Sequence, residues 1–184
     1  SPSAYSLELW FNTTTTTGGK LLGFGDAQTG DSGSYDKHVY LDNDGKLVFG
    51  VYNGGFDMLT STNAVNDGAW HHVVATQGPS GMALYVDGVL DQSNGVTNNQ
   101  GYNGYWRAGG DNLNFWPDQP TTSYVTAKVD EVAVYGGALS AASAATAWSA
   151  LSSWRTPTAV LTTTTSAITA ASVRSPVTTV RAHA

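Results

Sequence analysis

The sequence predicts an all-β domain, two antiparallel sheets packed face to face, with one short helix near its end and a disordered tail. Three observations carry that expectation. Turn signals punctuate the chain at short intervals: Asp42-Asn43-Asp44-Gly45, Asn53-Gly54-Gly55, Asn66-Asp67-Gly68, Gly78-Pro79-Ser80-Gly81 and Asp87-Gly88. The segments between them are short, rich in β-branched and aromatic residues, and alternate with period two. The composition agrees: 41% hydrophobic, only 12% charged and 21 glycines in 184 residues.

Tyr5 to Asn12 alternates Tyr5, Leu7, Leu9 and Phe11 against Ser6, Glu8 and Trp10, the pattern of a half-buried strand. On this reading Glu8 points outward into solvent; the alternative is a carboxylate that helps hold a cation at the rim. A polar loop, Thr13 to Gly19, leads to a short apolar strand from Lys20 to Gly25. Asp26 to Lys37 is a long loop. His38 to Asp42 and Lys46 to Tyr52 form a hairpin, and Met58 to Ala64 is the next strand. In Trp70 to Thr76 both parities are largely apolar, as in a strand covered on both faces. His71 and His72 are adjacent, so they point to opposite faces and cannot chelate one metal together. Met82 to Val86 pairs back across Gly78–Gly81, and Val89-Leu90 begins a return strand after Asp87-Gly88. Asp91 to Asn103 is loop, Gly104 to Gly110 a strand, Asp111 to Thr122 a long loop, and Tyr124 to Tyr135 the closing strand. Asp130 and Glu131 have opposite parity there, so only one of them faces inward. Ser140 is placed to cap a helix from Ala141 to about Leu151, with Ala144, Trp148 and Leu151 along one side. After Trp154 the chain turns to Thr, Ala, Ser and Val, the composition of a disordered linker.

Trp70-His71-His72-Val73, followed by Leu84-Tyr85-Val86-Asp87-Gly88, resembles the signature of laminin G-like, concanavalin A-like jelly-roll domains. Lys128 to Tyr135 with Ala138-Leu139-Ser140 is similar to that family's closing strand and terminal helix, and Tyr5 to Phe11 to an early strand. The resemblance covers about residues 4 to 150 and implies a jelly-roll sandwich of an exported or cell-surface protein. Members usually carry a further strand upstream; here it is missing or shrunk to Ser1–Ala4, which leaves one sheet edge unassigned. They also usually show an aromatic, a spacer and a Gly before the acidic pair, where this chain has Val125-Thr126-Ala127. Thr156 to Leu161 with Ile168 to Val173 resembles the opening of a PKD-type domain. The expected organisation is thus a jelly-roll domain at 1–151 and a linker or incomplete PKD-like segment at 152–184.

With 8 basic against 14 acidic residues the net charge is −6, which argues against nucleic acid and anionic membranes and suits divalent cations or neutral ligands. There is no cysteine, hence no disulfide, thiol nucleophile or thiolate site. No apolar run approaches the ~20 residues of a membrane helix, so no membrane insertion is expected. The chain begins Ser1-Pro2-Ser3 and is expected to be a monomeric module of a longer exported protein.

Two candidate sites stand out. The loop after Gly25 holds Asp26, Asp31 and Asp36 among glycines, a source of the oxygen ligands that Ca²⁺ takes. A structural calcium held by Asp26, Asp31 and Asp130 is one reading; an ordinary polar loop is the other. The stretch from Tyr102 to Trp116 carries the chemistry that binds sugars, an aromatic face for C–H groups and amides or carboxylates for hydroxyls. Trp116 is the expected stacking platform, flanked by Asp111, Asn112 and Asn114, with Tyr105 and Arg107 nearby. The competing reading makes Trp106 and Trp116 core residues or loop staples. The function expected is non-catalytic binding of a glycan or glycoprotein, the alternative a structural or adhesion domain that binds another protein. A laminarinase-type hydrolase needs an acid and a nucleophile about 5 Å apart. Glu8 and Glu131 are the only glutamates and neither has an acidic residue two positions away, so no enzyme is expected.

Overall fold

Each of the expected hairpins forms, and the computed structural model describes them in residues 2–155, together with the pair Thr178–Thr179. The strands are β1 (Tyr5–Asn12), β2 (Gly19–Gly25), β3 (Tyr35–Leu41), β4 (Lys46–Tyr52), β5 (Phe56–Ala64), β6 (Trp70–Gly78), β7 (Gly81–Val86), β8 (Val89–Asn94), β9 (Tyr105–Ala108), β10 (Lys128–Tyr135) and β11 (Thr178–Thr179). One helix, α1 (Ala141–Arg155), follows β10 and runs past the expected Leu151. The expected linker or PKD-like segment otherwise lies outside the described residues.

The strands build a two-sheet antiparallel jelly roll. One sheet has the order β10-β1-β6-β7-β8, the other β5-β4-β3-β2-β9. The β10 edge pairs with Thr178 and Thr179 at Val134 and Ala133. Between the sheets, Tyr5, Leu7, Leu9, Phe11, Val73, Ala75 and Leu84 meet Leu21, Val39, Leu41, Leu47, Phe49 and Val51. This is the period-two alternation turned into one apolar layer.

The opposite parity of β1 corrects the sequence reading. Ser6, Glu8 and Trp10 do not face solvent; they are 0%, 6% and 0% exposed. The cause is α1, which lies across the outer face of the first sheet, with Ala144 packed among Val74 and Tyr85. Trp148 stacks on Trp10 with ring centroids 5.0 Å apart. Glu8 is kept by two partners beneath that cover: His72 Nε2 lies 3.0 Å from one carboxylate oxygen, and the Tyr135 hydroxyl donates to the other. Ser140 caps the helix as expected, its hydroxyl accepting the Ser143 N–H at 3.1 Å.

The closing strand is also shorter than expected. Tyr124 stands apart from it and bridges Lys20 and Gly110 instead. A bulge sets Glu8 opposite Ala133 but Trp10 opposite Asp130, one residue more on β10 than on β1. Glu131 takes the left-handed conformation (φ 50°) and, contrary to the parity argument, both Asp130 and Glu131 are exposed.

On the second sheet the outer face is not left to solvent either. Tyr40 and Val48 are buried there beneath Leu113 and Trp116, which descend from the loop between β9 and β10. That loop shapes the candidate site.

Candidate ligand cleft

The loop is anchored at Asp111, whose carboxylate is 1% exposed. One oxygen accepts the backbone N–H of Ser32 (2.9 Å), the N–H of Asn112 (2.8 Å) and Arg107 Nη1 (2.9 Å). The other accepts the Ser32 hydroxyl at 2.9 Å and faces Lys20 Nζ at 3.6 Å. Burial alone would raise the Asp111 pKa, but the Lys20 cation and these donors hold it below the ordinary value. Burial lowers Lys20 to about 8, against the attraction of Asp111. Gly25 leaves room for this knot, since a Cβ there would stand 2.4 Å from an Asp111 oxygen. Asn112 extends it: its side-chain amide donates to the Ser32 carbonyl (3.0 Å), and its oxygen accepts the Asn114 N–H (2.9 Å).

Trp116 is the next anchor. Its indole is 4% exposed and lies over Gly50, where a Cβ would come within 2.4 Å of the ring. His38 meets it edge-on at 4.1 Å between centroids and Phe56 at 5.0 Å. His38 is fully buried, neither ring nitrogen makes a hydrogen bond, and burial with the nearby Lys20 and Lys37 charges pushes its pKa well down, so the ring is neutral. Tyr40 donates to the Pro117 carbonyl (2.5 Å) and completes the seat.

These contacts revise the expected site. Asp111, Asn112, Arg107 and Trp116 hold the loop to the sandwich, and Trp116 is a staple rather than an exposed platform. Tyr105 is 47% exposed on β9, opposite Gly25, and does not line the cleft described next. Only Asn114 and an edge of Trp116 reach it.

Beside the staple a shallow cleft of about 200 Å³ opens between Gly33–Tyr35, the β4–β5 turn, Gln100 and the 114–116 segment. Its aromatic surface comes from Phe115 (87% exposed), Phe56 (45% exposed) and the half-buried Tyr35 and Tyr52. Phe115 takes φ 67°, a left-handed conformation that costs a bulky residue about 1–3 kcal/mol and is a mark of functional sites. Gln119 holds it there by accepting the Phe115 N–H at 3.1 Å. The walls are fixed from behind. Tyr35 donates its hydroxyl to the Asn114 carbonyl (2.8 Å). The Gln100 N–H bonds the Tyr52 carbonyl (2.6 Å), and its own carbonyl accepts from Lys37 Nζ (2.7 Å). Lys37, itself buried, is neutralised by Asp36 at 2.8 Å and lies 4.9 Å from the Tyr102 ring. No lining side chain is charged. The adjacent aromatics Phe115-Trp116 in an Asn-rich loop were visible in the sequence; which of the two would face out depended on Gly50. Tyr35, Tyr52, Phe56 and Gln100 gave no signal, because they come from four separate segments.

The acidic residues expected to hold calcium accept hydrogen bonds within the protein. Asp26 accepts the backbone N–H groups of Gly33 (2.8 Å) and Ser34 (2.9 Å), and Asp31 accepts the Tyr124 hydroxyl (3.0 Å). Asp130 lies on β10 in the other sheet and accepts the Glu131 N–H (2.8 Å). Among the described residues no group of three or more acidic or histidine side chains is placed to hold a metal ion. The three candidates therefore do not form one shell.

The paired histidines do face opposite ways. His72 lies under α1, while His71 sits between Asp87 (2.9 Å) and Asp67 (3.1 Å). Burial lowers the His71 pKa, but the two carboxylates outweigh it and the net shift is upward. Asp87 also accepts the His72 N–H at 2.8 Å, so the Trp-His-His and Asp-Gly elements of the signature meet across the open end of the β6–β7 hairpin.

Residues 1–145 match the family model of the concanavalin A-like lectin/glucanases superfamily, laminin G type 3. The chain belongs to this superfamily. Solved structures agree on the fold. The laminin G-like domain is similar to a heptameric SAP-like pentraxin of Limulus polyphemus, with TM-score 0.56 and 16% identity over 80% of this chain and 70% of that one. It is similar to a candidate carbohydrate-binding protein of Bacteroides ovatus, with TM-score 0.54 and 16% identity over 78% of this chain and 40% of that one. A Trypanosoma rangeli sialidase matches with TM-score 0.54 and 20% identity over 79% of this chain, but this chain spans only 22% of that protein. Among curated protein sequences none matches the laminin G-like domain.

Proposed function

We propose that this domain is a non-catalytic carbohydrate-binding module of an exported protein, and that it binds through the Phe115 cleft. The observation that carries the reading is Phe115 itself: a large aromatic held almost fully in solvent, on a strained backbone, by a loop that the fold pins at Asp111 and Trp116. An exposed ring stacks on the C–H face of a sugar, and such a surface gains affinity without ordering a flexible chain. Ser34, Asn114 and Gln100 line the same cleft and supply hydroxyl and amide groups for hydrogen bonds to sugar hydroxyls. A rigid sandwich that presents a loop site is the usual arrangement for recognition.

The two glutamates support a non-catalytic role. Glu8 is sealed beneath α1, Glu131 lies on the β10 bulge, and the cleft lining contains no carboxylate. With few contacts and a shallow site, affinity for a simple sugar should be of order tenths of millimolar to millimolar. Isothermal titration of a glycan-array hit against wild type, Phe115→Ala and Phe56→Ala tests the reading. Both variants should stay folded and lose most of the binding. A folded Phe115→Ala protein that binds as wild type places the site elsewhere.

A further inference from the structure

The loop after β9 covers the middle of the outer face of the second sheet. Leu113 and Trp116 lie on Tyr40 and Val48, all four of them buried, and Gly50 lets the indole rest directly on the backbone. A notch stays open beyond Trp116, at one end of β3, β4 and β5. Its volume of about 200 Å³ is below the roughly 300–1,000 Å³ of typical small-molecule pockets. An interior residue of a glycan chain has a neighbour on both sides and needs a groove open at both ends. The 114–116 segment of the stapled loop walls this cleft.

The electrostatics narrow the ligand further. The lining is uncharged, and the cations near it, Lys37 and Lys20, are buried and turned to Asp36 and Asp111. Behind the Gly33–Ser34 wall sits the Asp26 carboxylate, and the whole chain carries a net charge of −6. A carboxylated or sulfated sugar would enter a negative field with no cation among the described lining residues to meet it.

We infer that the cleft takes one uncharged sugar ring at the end of a glycan, not an acidic sugar and not the interior of a chain. This rests on the reading of the cleft as the carbohydrate site. Chain length then adds nothing to affinity, because every ring after the first projects into solvent.

The test is a titration followed by protein NMR. The probes are methyl β-D-glucoside, methyl β-D-galactoside, methyl α-D-mannoside and methyl N-acetyl-β-D-glucosaminide, their linear oligomers, methyl β-D-glucuronide and sialyllactose. The expected result is that at least one neutral glycoside binds, that its oligomers tighten binding by less than about threefold, and that the acidic probes bind at least about tenfold more weakly. A gain above tenfold with chain length, or tighter binding of an acidic probe, overturns the inference. If that binding is still lost in Phe115→Ala, the site reading survives such a result. Binding unchanged in folded Phe115→Ala, or no binding by any probe, overturns the site reading and the inference together.

Discussion

Replacing Trp116 by alanine separates the two roles that adjacent aromatics play in this loop. The indole is 4% exposed, so truncation removes nearly all of a side chain that buries about 150–250 Å². At about 25 cal/mol per Å² that is roughly 4–6 kcal/mol, an upper bound because an unfolded chain already shields part of the ring. The loop cannot collapse into the gap, since Asp111 and Asn112 fix its start to Ser32 and Tyr40 fixes Pro117. A cavity therefore persists over Gly50, and the loss should be about 3–4 kcal/mol, within the range for buried Trp→Ala changes. For a domain of this size that corresponds to a fall of about 6–16 °C in Tm. Differential scanning calorimetry and urea unfolding followed by circular dichroism would measure it. Phe115→Ala, at 87% exposure, should change stability by less than about 0.5 kcal/mol. Phe115→Gly should gain about 1 kcal/mol, because glycine holds φ 67° without strain. A Trp116→Ala protein that melts with wild type, or a Phe115→Ala protein that falls as far as Trp116→Ala, would refute the assignment of staple and platform.

Gly50→Ala should act on the same seat from the opposite side: its Cβ would lie 2.4 Å from the indole, so overpacking of about 1–3 kcal/mol and weaker sugar binding are expected in calorimetry and titration. A Gly50→Ala protein with unchanged Tm would show that the ring has room to move. The buried lysine makes stability depend on alkaline pH. Burial lowers Lys20 from 10.5 to about 8, so between those values the unfolded chain holds a proton that the folded one has released, and stability rises with pH. Lys37, also lowered by burial, adds to the rise. Above about pH 10 the sign reverses, because burial raises the pKa values of Tyr5, Tyr40 and Tyr102, and the unfolded chain loses phenolic protons that the fold retains. Urea midpoints from pH 7 to 11 should show that rise and fall, and Lys20→Met should diminish the rise; a flat profile in wild type contradicts it. Because Asp26, Asp31 and Asp130 are not gathered into one group of metal ligands among the described residues, melting with EDTA and with added calcium should give the same midpoint within about 1 °C. An increase with calcium would establish the cation site that the loop composition suggested.

The sequence by itself determined the architecture. Turn residues between period-two segments fix strands, hairpins and the apolar face of each strand, because these depend on local φ, ψ preferences and on side chains alternating across a backbone. The Trp-His-His and Asp-Gly elements were legible for the same reason: His72 N–H and Asp87 meet across one hairpin. What the outer faces do is not local. Glu8 had the pattern of an exposed residue until α1, more than a hundred residues later, covered it. Asp130 and Glu131 had opposite parity until a bulge turned both outward. The site was decided in the same way. Phe115 and Trp116 are chemically close and adjacent in sequence, and the missing side chain at Gly50, on another strand, determines which of them is buried and which is left in solvent. The remaining walls, Tyr35, Tyr52, Phe56 and Gln100, become neighbours only when three strands of one sheet and three loops meet at one end of the sandwich. A binding surface assembled from such distant segments is set by tertiary packing, and no window of sequence contains it.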